Sequence, residues 1–422
     1  MTFSTDKSAE SDRIGRPKQP VKVAYLVSHP IQYQAPLLRL VSQEKDIDLT
    51  VLFGSDFSVR PYVDKGFGVD VSWDVPLLDG YRYKFLPALR DKGRTGIASP
   101  LNYRIFSTLK GGKGEYGFDV LWVHGYSTLN AWQGMVAAKA LGIPVLLRAE
   151  SRQSAVPQKN WRRVVKSLAF AVLRSMIDAV LPIGTLNASY WRKQLGEMMP
   201  QYPMPYAVDN EYFASRSSEA VASRDQLLEE LGLDRSRPVV LYASKLQRRK
   251  RCADLVDAYL KLSPAPGVEP VPYLVIVGDG EEREGLERRA KSSGFSSIRF
   301  CGFRNQSQLP HFFDLATVFV LPAQEEPWGL IVNEVMNAGR AVIVSDDIGC
   351  QPDLISDGVE GCVYPVGDIA ALCDALRHVL GAPEVARNMG NKARERIQAW
   401  NLEQDVRGLK DAIAHVTRRL GA

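Results

Sequence analysis

Short apolar runs alternate with amphipathic stretches along this chain, and the pattern stops and begins again past its midpoint. Val21-Lys22-Val23-Ala24-Tyr25-Leu26-Val27 reads as a buried strand, followed by helical spacing from Ala35 to Glu44 with Leu37, Leu38 and Val41 on one face. Phe118 to His124, Pro144 to Arg148 and Ala179 to Ile183 continue the series, with a helix predicted over Leu129 to Leu141. From Val239 it restarts: Val239 to Ala243, Tyr273 to Val277, Ile298 to Phe300, Thr317 to Leu321 and Ala341 to Val344 are further strands. Strand alternating with helix implies a parallel sheet, and the restart implies two. The predicted fold is α/β, two Rossmann-like doubly wound parallel-sheet domains facing a cleft. At 422 residues the chain suits two such cores.

The boundary falls in a run with three prolines, Pro200, Pro203 and Pro205. Expected units are a polar N-terminal tail over 1–20, a first domain over 21–203, a second over 204–395, and terminal helices over 396–422. The tail has no apolar core of the kind a secretory signal needs, so the expected location is the cytosol. No apolar run approaches the roughly 18 residues of a membrane span. The five cysteines lie in the second half without a CxxC pair and read as reduced thiols. Asp46-Ile47-Asp48 precedes a strand instead of closing a cleft, so no metal site is expected from it.

Charge divides the halves. Residues 1–200 hold 27 Lys and Arg against 17 Asp and Glu, and the remainder 26 against 31. Most of the surplus lies in 101–200, around Asn160-Trp161-Arg162-Arg163-Val164-Val165-Lys166-Ser167-Leu168-Ala169-Phe170-Ala171-Val172-Leu173-Arg174. Two readings are open: a basic amphipathic helix on an anionic membrane surface, or a packed helix whose Arg162, Arg163 and Lys166 form a solvated face. Nucleic acid is not expected, because no dense basic and aromatic stripe or known module is present.

The chemistry concentrates in Gln324-Glu325-Glu326-Pro327-Trp328-Gly329-Leu330-Ile331-Val332-Asn333-Glu334. Two carboxylates eight residues apart bracket a glycine turn that opens a helix at a strand's carboxyl end. There, free N–H groups and the helix dipole attract an anion. A diphosphate flanked by two sugars fits: N–H groups for phosphate, Glu326 and Glu334 for sugar hydroxyls. Gly278-Asp279-Gly280 is not a dinucleotide fingerprint, since the third glycine's place is taken by Arg283.

This segment resembles the paired-glutamate signature of the family 4 retaining glycosyltransferases, group 1, of GT-B fold. Met204 to Phe213, Tyr242 to Arg251, Val277 to Glu281, Phe300 to Phe303 and Ser345 to Asp353 resemble that family's motifs in order and approximate spacing. The resemblance implies a sugar donor such as a UDP- or GDP-sugar and no metal cofactor. It implies that Lys245 and Lys250 neutralise the departing diphosphate, and that Glu334 accepts both ribose hydroxyls, a contact of roughly 1.5–3 kcal/mol. Glu326 is implied closest to the reacting sugar, Gly329, Leu330 and Ile331 offer backbone, and Phe303 and Arg304 lie against the nucleobase. Arg248, Arg249 and Arg251 read as surface charges. Glu325 is expected to face solvent, and Trp328 and Cys350 to shape the sugar pocket.

In the first domain, Ser28 to Pro36 stands where many relatives carry a glycine-rich loop. His29 and Gln32 either line the cleft or, for His29, cap the loop. His124 and Glu150 end strands. His124 is a cleft residue or a hydrogen-bonded core histidine, and Glu150 a cleft residue or an ion-pair partner of Arg148 or Arg152. Glu150 stands where many members of the resembled family carry a histidine that touches the donor sugar. The implied function is transfer of a sugar to a glycan or lipid-linked acceptor in cell-surface polysaccharide biosynthesis, in the cytosol or peripherally on the inner membrane face. The alternatives are a nucleotide-sugar 2-epimerase of the same fold and a non-catalytic sugar-nucleotide-binding protein.

Overall fold

The computed structural model describes residues 19–64, 66–111, 117–153, 160–262 and 271–418. The first sheet contains β1 (Val21–Val27), β2 (Ile47–Phe53), β3 (Arg82–Phe85), β4 (Val120–His124), β5 (Val145–Arg148) and β6 (Ala179–Val180), in the order β6-β5-β4-β1-β2-β3. The second contains β7 (Val239–Ala243), β8 (Tyr273–Val277), β9 (Ile298–Phe300), β10 (Val318–Leu321), β11 (Ala341–Ser345) and β12 (Gly361–Tyr364), in the order β9-β8-β7-β10-β11-β12. Every pairing in both sheets is parallel. Both therefore have the doubly wound order, which reverses direction between β1 and β4 in one lobe and between β7 and β10 in the other. Crevices at the carboxyl ends of such strand pairs are where these sheets bind ligands.

The strands were predictable because sheets covered on both faces need continuous apolar runs. Val240, Leu241, Tyr242, Val318, Phe319, Val320 and Leu321 are completely buried. Burying one such aliphatic side chain is worth about 1.5–3 kcal/mol. In the first lobe, one sheet face is covered by helices Ile105–Lys110, Leu129–Ala140, Asn160–Met176 and Thr185–Leu195. The other is covered by Ala35–Ser42 and by the chain's last described helix, Leu402–Arg418.

That last helix crosses over from the second lobe. Helix Pro383–Gln398 stays behind, with Ala393 and Ile397 in the second lobe's core, so the return is made by one helix. Val406, Leu409, Ile413 and Val416 pack beside β1 and β2. Asp405 pairs at 2.6 Å with Arg148 of β5, both buried. The two interlobe crossings are bonded together: Asn210 Nδ2 donates to the carbonyls of Ile397 (2.9 Å) and Trp400 (3.1 Å), and Trp400 Nε1 donates to Tyr206 O (2.8 Å).

A two-stranded antiparallel hairpin, Tyr62–Asp64 with Val69–Val71, leaves the first lobe after β2 and reaches the second. Asp46 and Asp48, the DxD string, pair instead with Lys410 and Arg82.

Candidate functional site

The two carboxylates bracket the turn between β10 and helix Leu330–Asn337. Gly329 caps that helix at φ 93°, a left-handed conformation suited to glycine, and no side chain caps the helix start. The turn is clamped by the neighbouring loop after β11. Glu326 N donates to Asp347 O (3.2 Å), Gly349 N donates to Glu326 O (2.9 Å), and a Cβ at Gly349 would lie 1.8 Å from Pro327 O. Leu330 and Ile331, half-buried, begin the helix with their N–H groups in its first turn.

Glu326 is buried and faces the short helix Arg248–Lys250 that follows β7. Its Oε2 lies 2.5 Å from Lys250 Nζ and 3.1 Å from Arg249 Nη1. Arg249 thus belongs to the site, against its expected place among surface charges; its half-exposed stem still brings the guanidinium onto the carboxylate. Burial pulls the Lys250 pKa down although Glu326 opposes it. Lys245 lies on the same loop, where its Nζ meets Asp64 of the first-lobe hairpin at 2.8 and 3.0 Å and sits 4.6 Å above the Phe67 ring. Asp64 in turn is held below its ordinary pKa range by that ammonium and by the N–H groups of Gly66 and Phe67, which outweigh the effect of burial.

Glu334 presents the opposite electrostatics. It is buried, its Oε2 makes no hydrogen bond, and burial alone pushes its pKa up to about 8. A buried acceptor without a donor is costly in a finished core and expected where a ligand supplies the donor.

Phe303 packs edge-on against Phe67 (4.7 Å) and Trp73 (6.5 Å) of the first lobe. Asn305 Nδ2 donates to Ser72 O (2.7 Å), and Ser307 bonds Asp74. Arg304 is not beside Phe303's partners: it lies over Phe312 and is 4.0 Å from Glu230, within its own lobe.

Across the cleft, His29 stacks on Phe57 and bonds Ser28 Oγ (2.8 Å). It lines a cavity of about 840 Å³ together with Tyr62, Asp64, Gly66 and Lys92. Burial lowers its pKa to about 4. Gln32 lines a smaller cavity of about 170 Å³ with Tyr33, Val208, Tyr212 and Gln306, and its Oε1 is buried without a partner. His124 packs at 3.0 Å from the Gln34 amide, and burial lowers its pKa to about 3. Glu150 Oε1 accepts from Tyr33 (2.7 Å) and Tyr206 (2.6 Å). Neither expected ion pair of Glu150 forms, because Arg148 is committed to Asp405 and Arg152 to Asp347. Arg152 also reaches the turn itself, donating to Glu326 O (3.0 Å) and Asp347 O (2.6 Å).

Two expectations fail here. Trp328 is core: it stacks on Trp400 (5.5 Å) and donates to Asn333 (3.0 Å), because the turn that aims Glu326 at Lys250 points the aromatic two residues on into the second lobe's core. Cys350 is completely buried. Glu325 is only half-exposed, its N–H held by Asp347 Oδ2 (2.8 Å). Asp64 and Phe67 join the site without any local motif, whereas Tyr33 and Tyr206 lie inside the Ser28 to Pro36 and Met204 to Phe213 segments but carry no signal of their own. Among the described residues no group of three or more His, Cys, Asp or Glu is placed to hold a metal ion.

Residues 223–396, which hold Lys245, Arg249, Lys250, Phe303, Glu326 and Glu334, match the family model described as "Glycosyl transferases group 1". The second lobe is similar to a group 1 glycosyltransferase domain. The chain is 27% identical over 272 residues to the α-D-kanosaminyltransferase of Streptomyces kanamyceticus, covering 62% of this chain and 68% of the relative. It is 26% identical over 297 residues to the α-maltose-1-phosphate synthase of Mycolicibacterium smegmatis, covering 65% and 73%. Sucrose-phosphate synthase from Thermosynechococcus elongatus shares the fold with a TM-score of 0.66 at 21% identity, over 94% of this chain and all of that one. Anabaena HepE, solved with UDP and glucose, does so with a TM-score of 0.68 at 16% identity, over 94% and 100%. The chain thus has a GT-B fold, two facing Rossmann-like lobes, with the matched residues in the second.

Proposed function

We propose that this protein is a retaining, metal-independent glycosyltransferase of family 4 that moves a sugar from a nucleoside-diphosphate sugar to a glycan or lipid-linked acceptor in cell-surface polysaccharide biosynthesis. The observation that carries the reading is the pairing of Glu334, whose buried Oε2 has no hydrogen-bond partner, with an uncapped helix start and the Glu326, Lys250 and Arg249 cluster. Glu334 is an acceptor waiting for two hydroxyl donors, which a ribose supplies. The N–H groups of Leu330 and Ile331, with Lys245 and Lys250, face the diphosphate.

Departure of the nucleoside diphosphate adds negative charge to its distal phosphate. Fixed cations at that position stabilise the transition state more than the ground state, and they do so without a metal. Glu326 receives hydroxyls of the transferred sugar, held in place by Lys250 and Arg249. Phe303 offers the base an aromatic surface, while Arg304 is placed too far round to share it. No covalent nucleophile is assigned; the departing phosphate removes the acceptor proton on the same face. His29 and Gln32 line cavities at the cleft, and Glu150 with its two tyrosines forms the opposite wall where the acceptor enters.

Names of the relatives favour transfer over 2-epimerisation, and Lys250 and Arg249 on Glu326 favour catalysis over simple binding. A panel of nucleotide sugars in a thermal-shift assay tests the reading: the true donor at a hundred times its Kd raises stability by roughly 2.7 kcal/mol. Glu334→Ala should remove that response. No response to any nucleotide sugar would overturn the proposal.

A further inference from the structure

The four helices that cover one face of the first sheet, Ile105–Lys110, Leu129–Ala140, Asn160–Met176 and Thr185–Leu195, contain no aspartate or glutamate. They carry eight cations: Lys110, Lys139, Arg162, Arg163, Lys166, Arg174, Arg192 and Lys193. The side chains of Arg162 and Arg163 lie outside the described residues. Asp178 neutralises Lys139 at 2.8 Å, Asp119 is bonded to Lys22 N, and Glu197 is exposed after helix Thr185–Leu195. On the opposite face helix Leu402–Arg418 mixes both signs, with Glu403, Asp405 and Asp411 beside Arg407 and Lys410.

The same layer presents apolar side chains to solvent. Helix Asn160–Met176 buries Phe170 and Leu173 but leaves Val165, Leu168 and Val172 57%, 64% and 50% exposed. These three recur at helical spacing and so form one outward stripe. Phe106, Leu129, Val136 and Leu186 are exposed on the neighbouring helices. Of the sixteen large hydrophobics exposed among the described residues, fourteen belong to the first lobe and only Val221 and Val359 to the second. An apolar stripe on helices that carry cations and no anion suits an interface that is negatively charged outside and apolar beneath. A second copy of this chain offers no such match, because its own copy of the face is equally cationic.

We infer that this four-helix face docks on an anionic lipid bilayer, with Val165, Leu168 and Val172 entering the headgroup and acyl boundary and the surrounding Lys and Arg meeting lipid phosphates. Among the described residues no helix is long and apolar enough to cross a membrane. The proposal is independent of the donor site.

The test is flotation of the full chain with phosphatidylcholine vesicles, with and without phosphatidylglycerol, at low and high salt. Binding should need the anionic lipid, weaken with salt, and fall by about tenfold or more in Leu168→Glu/Val172→Glu. Arg174→Gln/Arg192→Gln, a change of charge alone at exposed positions, should cost about fivefold per residue. Val221→Glu/Val359→Glu in the second lobe should change nothing. Equal binding to neutral vesicles, or unchanged binding in both first-lobe variants, would overturn the inference. So would a lipid-free dimer that Leu168→Glu/Val172→Glu abolishes, since the stripe would then be a protein interface.

Discussion

Glu334 allows the donor assignment to be tested through protons. In the free protein its carboxyl is mostly protonated at neutral pH, because burial lifts its pKa to about 8. To accept from both ribose hydroxyls it must ionise, so donor binding should release a proton. If the bound carboxylate returns to its ordinary range, affinity follows the ionised fraction of the free protein. Kd should then be about fivefold weaker at pH 7 than at pH 8 and about fiftyfold weaker at pH 6, with about 0.9 proton released at pH 7. His29 and His124, held at about 4 and about 3, stay neutral across this window, and a diphosphate diester does not titrate in it. Titration calorimetry in two buffers of different ionisation enthalpy measures both quantities. Glu334→Gln should flatten the profile and abolish proton release. Stability supplies a second arm: the folded state holds a proton that the unfolded chain gives up, so this group's contribution falls as pH rises from near 4.5 to about 8. Glu334→Gln should therefore be more stable than the parent at pH 8, by up to about 5 kcal/mol. A parent Kd that is flat from pH 6 to 8, with no proton release, refutes the reasoning.

Lys250→Ala should lower kcat by about a hundredfold or more while changing donor Kd less, as for loss of a group acting on transition-state charge; an unchanged kcat counts against its role. Asp64→Asn frees Lys245 from a half-buried pair worth at most about 1 kcal/mol, so donor Kd should tighten roughly two- to fivefold, and weaker binding would show that Asp64 assists the donor instead. Arg148→Met strands Asp405, whose pKa burial already raises, and should cost about 3–5 kcal/mol by chemical denaturation. Arg148→Met/Asp405→Leu should recover most of that, and a double variant as unstable as the single one would deny the pairing its importance.

Strands buried on both faces announce themselves as apolar runs, which is why Val239 to Ala243 and the stretch ending at Leu321 were legible along with the fold class. Glu326, Gly329 and Glu334 were legible because one turn and one helix carry all three. Asp64 was not, since its meeting with Lys245 is made by chain 181 residues away and depends on how the lobes face each other. Arg249 was misplaced for a related reason: whether a cation in a basic run is solvated depends on the loop opposite, here the one bearing Glu326. Trp328 shows the limit of reading a motif as a pocket, because residues two apart in a tight turn, Glu326 and Trp328, face different surroundings.

The two stretches of chain that join the lobes lie side by side, tied by Asn210 and by Trp400. Two parallel tethers bound to each other leave the halves free to swing like a book on its spine and resist any sliding or twisting of one past the other. Opening would part Lys245 from Asp64 and Arg152 from Asp347 in the same stroke, so entry of a donor and release of its spent nucleotide become a single motion about one fixed axis.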